Sequence, residues 1–171
     1  MGYVDVEVGE PGPGEARVRH VACGLNYIDV YFRTGAYPQP LPAGLGMEGA
    51  GVVEAVGAGV THVKPGDRVL GNTGWGGMAE ELALEAGRLV KIPDAMPFDE
   101  AAAFIMTYGT SWHALEARAN LQAGQTLLVL GAAGGVGLAA VELGAAMGAR
   151  VIAACSSGKR SETNGLILPC S

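Results

Sequence analysis

The sequence predicts an α/β plus β chain, in which a small, partly closed β-barrel precedes an incomplete β-α-β unit. Short stretches of period-two alternation between turn residues fill the first ~90 residues. Helical composition takes over near Pro97. A fully apolar strand, Thr126 to Leu130, then runs into a glycine-rich bend, a helix and a second strand. The expected division is 1–95 for the barrel, 96–157 for connecting helices and the start of the β-α-β unit, and 158–171 for an aberrant tail.

Tyr3 to Val8 alternates apolar and acidic residues, and Pro11-Gly12-Pro13-Gly14 forces a turn after it. Ala16 to Cys23 follows as a strand with Arg17 and Arg19 on one face. Asn26 suits the N-cap of a short helix, Tyr27 to Thr34, which Gly35 can close in a left-handed conformation. Pro38, Pro40 and Pro42 hold an extended connection to a strand over Gly49 to Val56. Lys64-Pro65-Gly66-Asp67 reads as a type II turn, with further strands over Arg68 to Leu70 and Met78 to Leu84. Asp99 to Met106 and Ser111 to Ala119 are helical in composition, Asp99 and Glu100 suiting a helix start. A helix from about Val136 to Met147 and a strand over Arg150 to Ala154 follow. From Ser156 the chain turns polar, and its closing Gly165-Leu-Ile-Leu-Pro-Cys-Ser fits neither period well.

Composition narrows the function classes. Hydrophobic residues make up 49% and charged residues 16% of the 171 positions, which excludes a disordered or nucleic-acid-binding tail. A net charge of −6 without a basic cluster disfavours a nucleic-acid partner. The 28 glycines exceed twice the usual share of roughly 7% and mark turns and close backbone approaches. Cys23, Cys155 and Cys170 are widely spaced and odd in number, which fits a reducing compartment. No signal peptide or myristoylation signal is expected at the start. The longest apolar stretch is glycine-broken and shorter than the ~20 residues of a membrane span. The expectation is a soluble, cytoplasmic protein with no membrane partner.

The decisive segment is Leu128 to Leu138, LVLGAAGGVGL, which contains A-x-G-x-x-G. Ala132 is small enough for the tight turn, Gly134 lets backbone approach a pyrophosphate, and Gly137 lets helix and strand pack closely. Backbone N–H groups over Ala132, Ala133, Gly134, Gly135, Val136 and Gly137 would meet the phosphates, helped by the helix dipole. The strand before, the helix after and the second strand supply the context that this motif of the Rossmann fold requires. The alternative is a glycine-rich junction that binds nothing. A P-loop cannot be laid on these residues. Beyond the second strand, Ser156 and Ser157 stand where an NAD-binding protein places an acid, with Lys159 and Arg160 next. Hydroxyls and cations accept a 2′-phosphate that a carboxylate would repel, so NADPH is the expected cofactor.

These segments resemble the medium-chain dehydrogenase/reductase superfamily, and within it the zinc-free quinone oxidoreductase (zeta-crystallin-like) branch. Carrying the resemblance are Gly24 to Gly35 (GLNYIDVYFRTG), Gly46 to Gly57 (GMEGAGVVEAVG), Lys64 to Val69 (KPGDRV) and Thr107 to Leu115 (TYGTSWHAL). With the glycine bend they span about residues 3 to 157 in the family's order. The resemblance implies a GroES-like catalytic domain, partly closed as a barrel, and an incomplete Rossmann β-α-β. Asn26 and Met47 stand where the superfamily's alcohol dehydrogenases place a cysteine and a histidine on catalytic zinc. Neither replaces those ligands well, so no metal is expected. His20 and Cys23 could suggest a metal, but strand alternation assigns them opposite faces.

By resemblance, Asn26 and Tyr31 line the cleft beside the nicotinamide as catalytic residues, and Thr107 lies near the cofactor. Each has a second reading: Asn26 as a helix cap, Tyr31 as packing, Thr107 as a cap. His113 reads as core rather than proton donor. Glu48 reads as an internal hydrogen-bond partner and Glu54 as a strand-surface charge. The implied function is NADPH-dependent hydride transfer to a small electrophilic substrate, a quinone or enone. An enoyl-thioester or alkenal double-bond reductase is the alternative, and a non-catalytic truncated gene product is an alternative of another class. Full-length family members are expected as homodimers. The family has ~20 residues before the position of Tyr3 and six strands in the order 3-2-1-4-5-6, of which two are expected here. A truncated, frame-shifted or misassembled reading frame is therefore expected, poorly soluble and inactive alone, with Leu127, Val129, Val151 and Ile152 left little to bury against.

Overall fold

The computed structural model describes residues 2–156 and 166–169. The chain divides into two compact units, Met1–Ile105 and Met106–Ser171.

In the first unit, β1 (Glu15–Gly24), β2 (Glu48–Val56), β3 (Arg68–Asn72), β4 (Glu81–Glu85) and β5 (Leu89–Lys91) form an antiparallel sheet. Their order is β4-β1-β2-β3-β5, so the sheet is not closed and β4 and β5 lie at its edges. Alternation sorts the side chains. Ala16, Val18, Val53, Val69, Leu84 and Leu89 form one core cluster. Ala50, Leu70 and Ile92 form another with Ala101 and Ala102 of α2 (Phe98–Ala102). The neighbours Val69 and Leu70 therefore serve different clusters, as the pleat requires. On β1, Arg17 and Arg19 both point to Glu54 and Glu81, with Arg17 Nε 3.6 Å from a Glu54 oxygen. Glu54 is the strand-surface charge expected of it.

Tyr3 to Val8 forms no strand, and Tyr3, Val4 and Val6 are exposed. Alternation is necessary for a half-buried strand but not sufficient. Both sides of β1 are already taken by β2 and β4, and Tyr3 to Val8 joins neither free edge. The fourth strand also starts later than expected, at Glu81 rather than Met78.

The turn at Lys64 to Asp67 closes with Asp67 N–H donating to Lys64 O at 3.0 Å. Lys64 and Lys91 both reach the Asp67 carboxylate, Lys91 at 2.7 Å. Lys64 first and Lys91 second hold this carboxyl well below the usual carboxylate range.

In the second unit, α3 (Ile105–Trp112) runs into a wider π-turn over His113–Arg118. This corrects the expected helices. The break falls near Ala103, and Thr107 to Thr110, read as a gap, is helical. Weak helix formers such as Thr and Gly lower the preference for helix without forbidding it, so tertiary packing decides. His113, expected in the core because its sequence neighbours are apolar, is exposed, since apolar neighbours in sequence do not fix which side of a helix a residue takes.

β6 (Thr126–Leu130), α4 (Gly135–Ala146) and β7 (Arg150–Cys155) form the β-α-β unit, with β6 and β7 parallel. Val129, Ala132, Val141 and Ala153 form its core, with Leu127 and Val151 packed against them. The expectation that Leu127, Val129, Val151 and Ile152 have little to bury against is corrected for the first three, which α4 covers; Ile152 is half-buried outside that cluster. The exposed residues are the alternate ones, Leu128 at 55% and Leu130 at 73%. A second correction concerns strand number. Leu166–Pro169 pairs in parallel with β7 as β8, in the order β6-β7-β8. A four-residue stretch is too short to show a period, whereas the unpaired backbone edge of β7 offers it hydrogen bonds.

A folded carboxyl lowered below its unfolded value stabilises the fold above the unfolded pKa of about 4, and the contribution fades as pH falls through the folded value. Asp67→Asn is expected to destabilise the chain at about pH 7 and by less at about pH 2.5. Urea denaturation at both pH values checks this, and an equal loss at both would remove the charge of Asp67 from the account.

Candidate functional site

The first unit positions Asn26 and Tyr31 through α1 (Tyr27–Thr34). The helix is closed by Gly35 at φ 78°, as its sequence requires. At its start, the Asn26 N–H donates to Asp29 Oδ2 at 2.9 Å. The other oxygen of Asp29 accepts the Gly46 N–H at 3.1 Å. Gly46 O in turn accepts from the Thr73 hydroxyl at 3.0 Å, and Met47 O accepts the Thr73 N–H at 2.9 Å. Asp29 is 2% exposed. One buried carboxylate therefore joins the helix start to the segment that carries Met47 and Glu48.

The Asn26 side chain is more than a cap. Its Nδ2 donates to Glu48 Oε1 at 2.7 Å, and Glu48 is fully buried at the start of β2. Glu48 is thus the internal hydrogen-bond partner expected of it. Tyr31 does not pack inside; it is half exposed in a chain of rings. Its ring meets Tyr27 edge-on at 5.3 Å between centroids and Tyr37 at 5.2 Å. Phe32 meets Tyr37 at 5.5 Å and Trp75 at 4.2 Å. Tyr27 and Tyr31 stand four residues apart, a helical spacing legible in sequence. Tyr37 and Trp75 lie outside regular elements, and sequence reasoning missed them, as it missed the tie made by Asp29.

The donor set around Asn26 is poor in metal ligands. Asn26 spends its amide nitrogen on Glu48, and Met47 offers a half-buried thioether. His20 and Cys23 do not sit on opposite faces, as simple alternation implied. A β-bulge between His20 and Ala22 breaks the alternation. His20 Nδ1 lies 2.9 Å from Ala79 O, and the Cys23 thiol donates to Gly77 O at 2.8 Å. Burial lowers the His20 pKa and raises that of Cys23. Both shifts favour the neutral side chain. Among the described residues, no group of three or more His, Cys, Asp or Glu is placed to hold a metal.

The second unit holds the glycine bend. Gly131 turns at φ 68°, and the Ala132 N–H donates to Ala154 O at 3.0 Å, tying the bend to β7. Ala132 is fully buried. Gly134 is the extended N-cap of α4; its own N–H donates to Gly131 O at 3.0 Å, and its carbonyl accepts from Leu138 at 2.7 Å. Gly134 therefore shapes the approach, while the N–H groups of Gly135, Val136 and Gly137 open the helix, where no intrahelical acceptor exists. No acidic side chain occupies the first turn, so nothing there offsets the positive helix end. A Cβ on Gly137 would stand 2.3 Å from Gly131 O and 2.9 Å from Ala132 Cα. Only glycine lets the helix start this close to the bend.

Thr107 lies in the first turn of α3 rather than at its N-cap position. Its Cγ2 stands 3.0 Å from the position a Cβ on Gly135 would take, which puts it at the mouth of the bend. From the same helix, the buried Ser111 hydroxyl donates to Val136 O at 2.7 Å and steadies the first turn of α4. Ala133 is half-buried within the bend, and Ser156 is exposed just past β7. Ser157 and Lys159, the other expected 2′-phosphate contacts, lie outside the described residues, as does Arg160. The bend fits a dinucleotide: a small residue at the turn, a glycine-only junction and free N–H groups on a dipole.

An open antiparallel sheet followed by a parallel β-α-β with this bend defines a two-unit, dinucleotide-binding oxidoreductase fold. The alcohol dehydrogenase GroES-like domain model matches residues 12–94. The chain is 47% identical to a quinone oxidoreductase of Pseudomonas aeruginosa over 161 residues, covering 93% of this chain and 50% of that protein. The solved structure of Escherichia coli quinone oxidoreductase complexed with NADPH is similar, with a TM-score of 0.89 and 34% identity. That likeness covers 96% of this chain and 53% of the other. The CurK enoyl reductase structure is similar at a TM-score of 0.86 and 28% identity, over 97% of this chain and 55% of that one. The chain belongs to the medium-chain dehydrogenase/reductase superfamily, in its quinone oxidoreductase branch. It spans about half the length of the curated relatives it matches.

Removing the Asp29 carboxylate strands two backbone donors in buried surroundings. Asp29→Ala is expected to cost about 2–4 kcal/mol of stability, read by urea denaturation. Gly137→Ala forces a methyl against backbone that cannot retreat and is expected to cost about 1–3 kcal/mol. A Gly137→Ala chain with parental stability would show that the close junction is not needed.

Proposed function

We propose that this chain supplies the substrate-facing and phosphate-binding parts of an NADPH-dependent, metal-independent reductase whose acceptor is a quinone. The observation that carries the reading is the pairing of a held amide donor, Asn26, with exposed rings on the helix that follows it. A planar, electrophilic acceptor suits both features. Rings of Tyr27, Tyr31 and Tyr37 offer aromatic edges and faces to a flat molecule. The Asn26 amide can donate to the carbonyl oxygen on which negative charge develops. Without a Lewis acid, for which Asn26 and Met47 are poor ligands, an alcohol is not readily ionised, whereas a quinone needs no such help.

The nicotinamide, when bound, supplies the hydride. N–H groups of Gly135, Val136 and Gly137 would hold its pyrophosphate, with Ala132, Ala133 and Gly134 shaping the bend. Thr107 would border it. Ser156, with Ser157 and Lys159, would favour the 2′-phosphate; the NADPH complex of the similar E. coli enzyme supports this. The likeness to CurK enoyl reductase favours a second reading, reduction of an enoyl thioester, which uses the same hydride and a similar oxygen donor.

Titrations of the 171-residue chain test the reading. NADPH is expected to bind more tightly than NADH, followed by nicotinamide fluorescence; the reverse order would overturn the 2′-phosphate assignment. Phenanthrenequinone, which has no vinylic position for Cys23 to attack, is expected to quench tryptophan fluorescence saturably through Trp75 beside Phe32. Saturable binding of crotonoyl-CoA in place of the quinone would shift the assignment to the enoyl reductase.

A further inference from the structure

Asn26 can serve a substrate only if its amide presents the right atoms. An amide is nearly symmetric in shape, and rotation by half a turn exchanges a double donor for an acceptor. Something must choose between the two senses.

The register supplies a candidate. Glu48 pairs with Gly24 across β1 and β2, two residues before Asn26. Glu48 is 2% exposed, and its Oε1 accepts from Asn26 Nδ2 at 2.7 Å. Its freedom is small. A Cβ on Gly24 would stand 2.4 Å from Glu48 Oε1 and 2.5 Å from the Ala102 carbonyl, so backbone encloses the carboxylate on that side. Burying a carboxylate opposes folding unless hydrogen bonds offset it, and the Asn26 amide is one such bond. A carboxylate can only accept, so the amide must turn its nitrogen inward.

We propose that Glu48 is a positioning residue that sets the sense of the Asn26 amide. One Nδ2–H is spent on Glu48 and Oδ1 faces the Asp29 N–H in the capping box of α1, so the second Nδ2–H is left for the substrate. The proposal rests on the reading that Asn26 meets the acceptor, but the orientation can be measured separately.

The experiment uses the isotopically labelled 171-residue chain. In the parent, a through-hydrogen-bond coupling is expected between the Asn26 side-chain nitrogen and the Glu48 carboxyl carbon. Its absence would overturn the proposal without any variant. In Glu48→Gln, equal in size but able to donate, the Asn26 side-chain amide signals are expected to shift and exchange faster while distant backbone signals stay in place. Phenanthrenequinone binding is expected to weaken by about tenfold, the scale of one hydrogen bond. Glu48→Asp, which keeps an acceptor, is expected to recover part of the loss. Unchanged Asn26 amide signals in Glu48→Gln would defeat the proposal. So would undiminished quinone binding in Glu48→Gln when Asn26→Ala binds weakly. Parental binding by Asn26→Ala would instead defeat the reading of Asn26 as a substrate contact, leaving the amide signals to decide the role of Glu48.

Discussion

A buried carboxylate accepting two backbone N–H groups organises the start of α1 and the segment before β2. Asp29 lies one turn into α1, yet its oxygens reach back to Asn26 and across to Gly46. The two donors belong to segments far apart in sequence, and each must be satisfied once water is excluded. Meeting both with one side chain joins the helix start to the strand that begins at Glu48. The same join brings together the segments that carry Asn26 and Glu48, whose side chains hydrogen-bond. Both of the bonds to Asp29 come from backbone N–H groups.

The glycine bend of the second unit follows the opposite strategy. Its bend works through the absence of side chains, with Gly137 admitting the helix start to within van der Waals reach of Gly131 and Ala132. Ser111 and Thr107, both on α3, then border the turn that the glycines make. Backbone recognition of a diphosphate needs amides held in place more than it needs particular side chains. The bend is almost wholly glycine, alanine and valine, a composition that suits such recognition.

Legibility in the sequence followed the range of the interactions. α1, with its cap and its closing glycine, was readable because every determinant lies within a few residues. The same holds for β6, the bend and β7, where period, length and glycine spacing agree. Tyr3 to Val8 alternates well and still forms no strand, since a strand exists only through a partner. The His20–Ala22 bulge brought His20 and Cys23 onto the same stretch of neighbouring backbone, which no period-two rule could show. Helix α3 ran through Thr107 to Thr110 against local propensity, and Leu166–Pro169 found a strand edge its own pattern did not announce.

By itself, the sequence determined the fold class, the superfamily and the two residues, Asn26 and Met47, that make a zinc site chemically unfavourable. These rest on local pattern and on residue chemistry, which travel with the chain. Only the tertiary structure decided that the Asn26 amide faces Glu48 and that α4 covers Leu127 and Val129 while Leu128 and Leu130 stay exposed. The chain of rings from Tyr27 to Trp75 was decided there too. Each of these depends on groups distant in sequence meeting in space, where burial, close backbone approach and unsatisfied hydrogen bonds set the outcome.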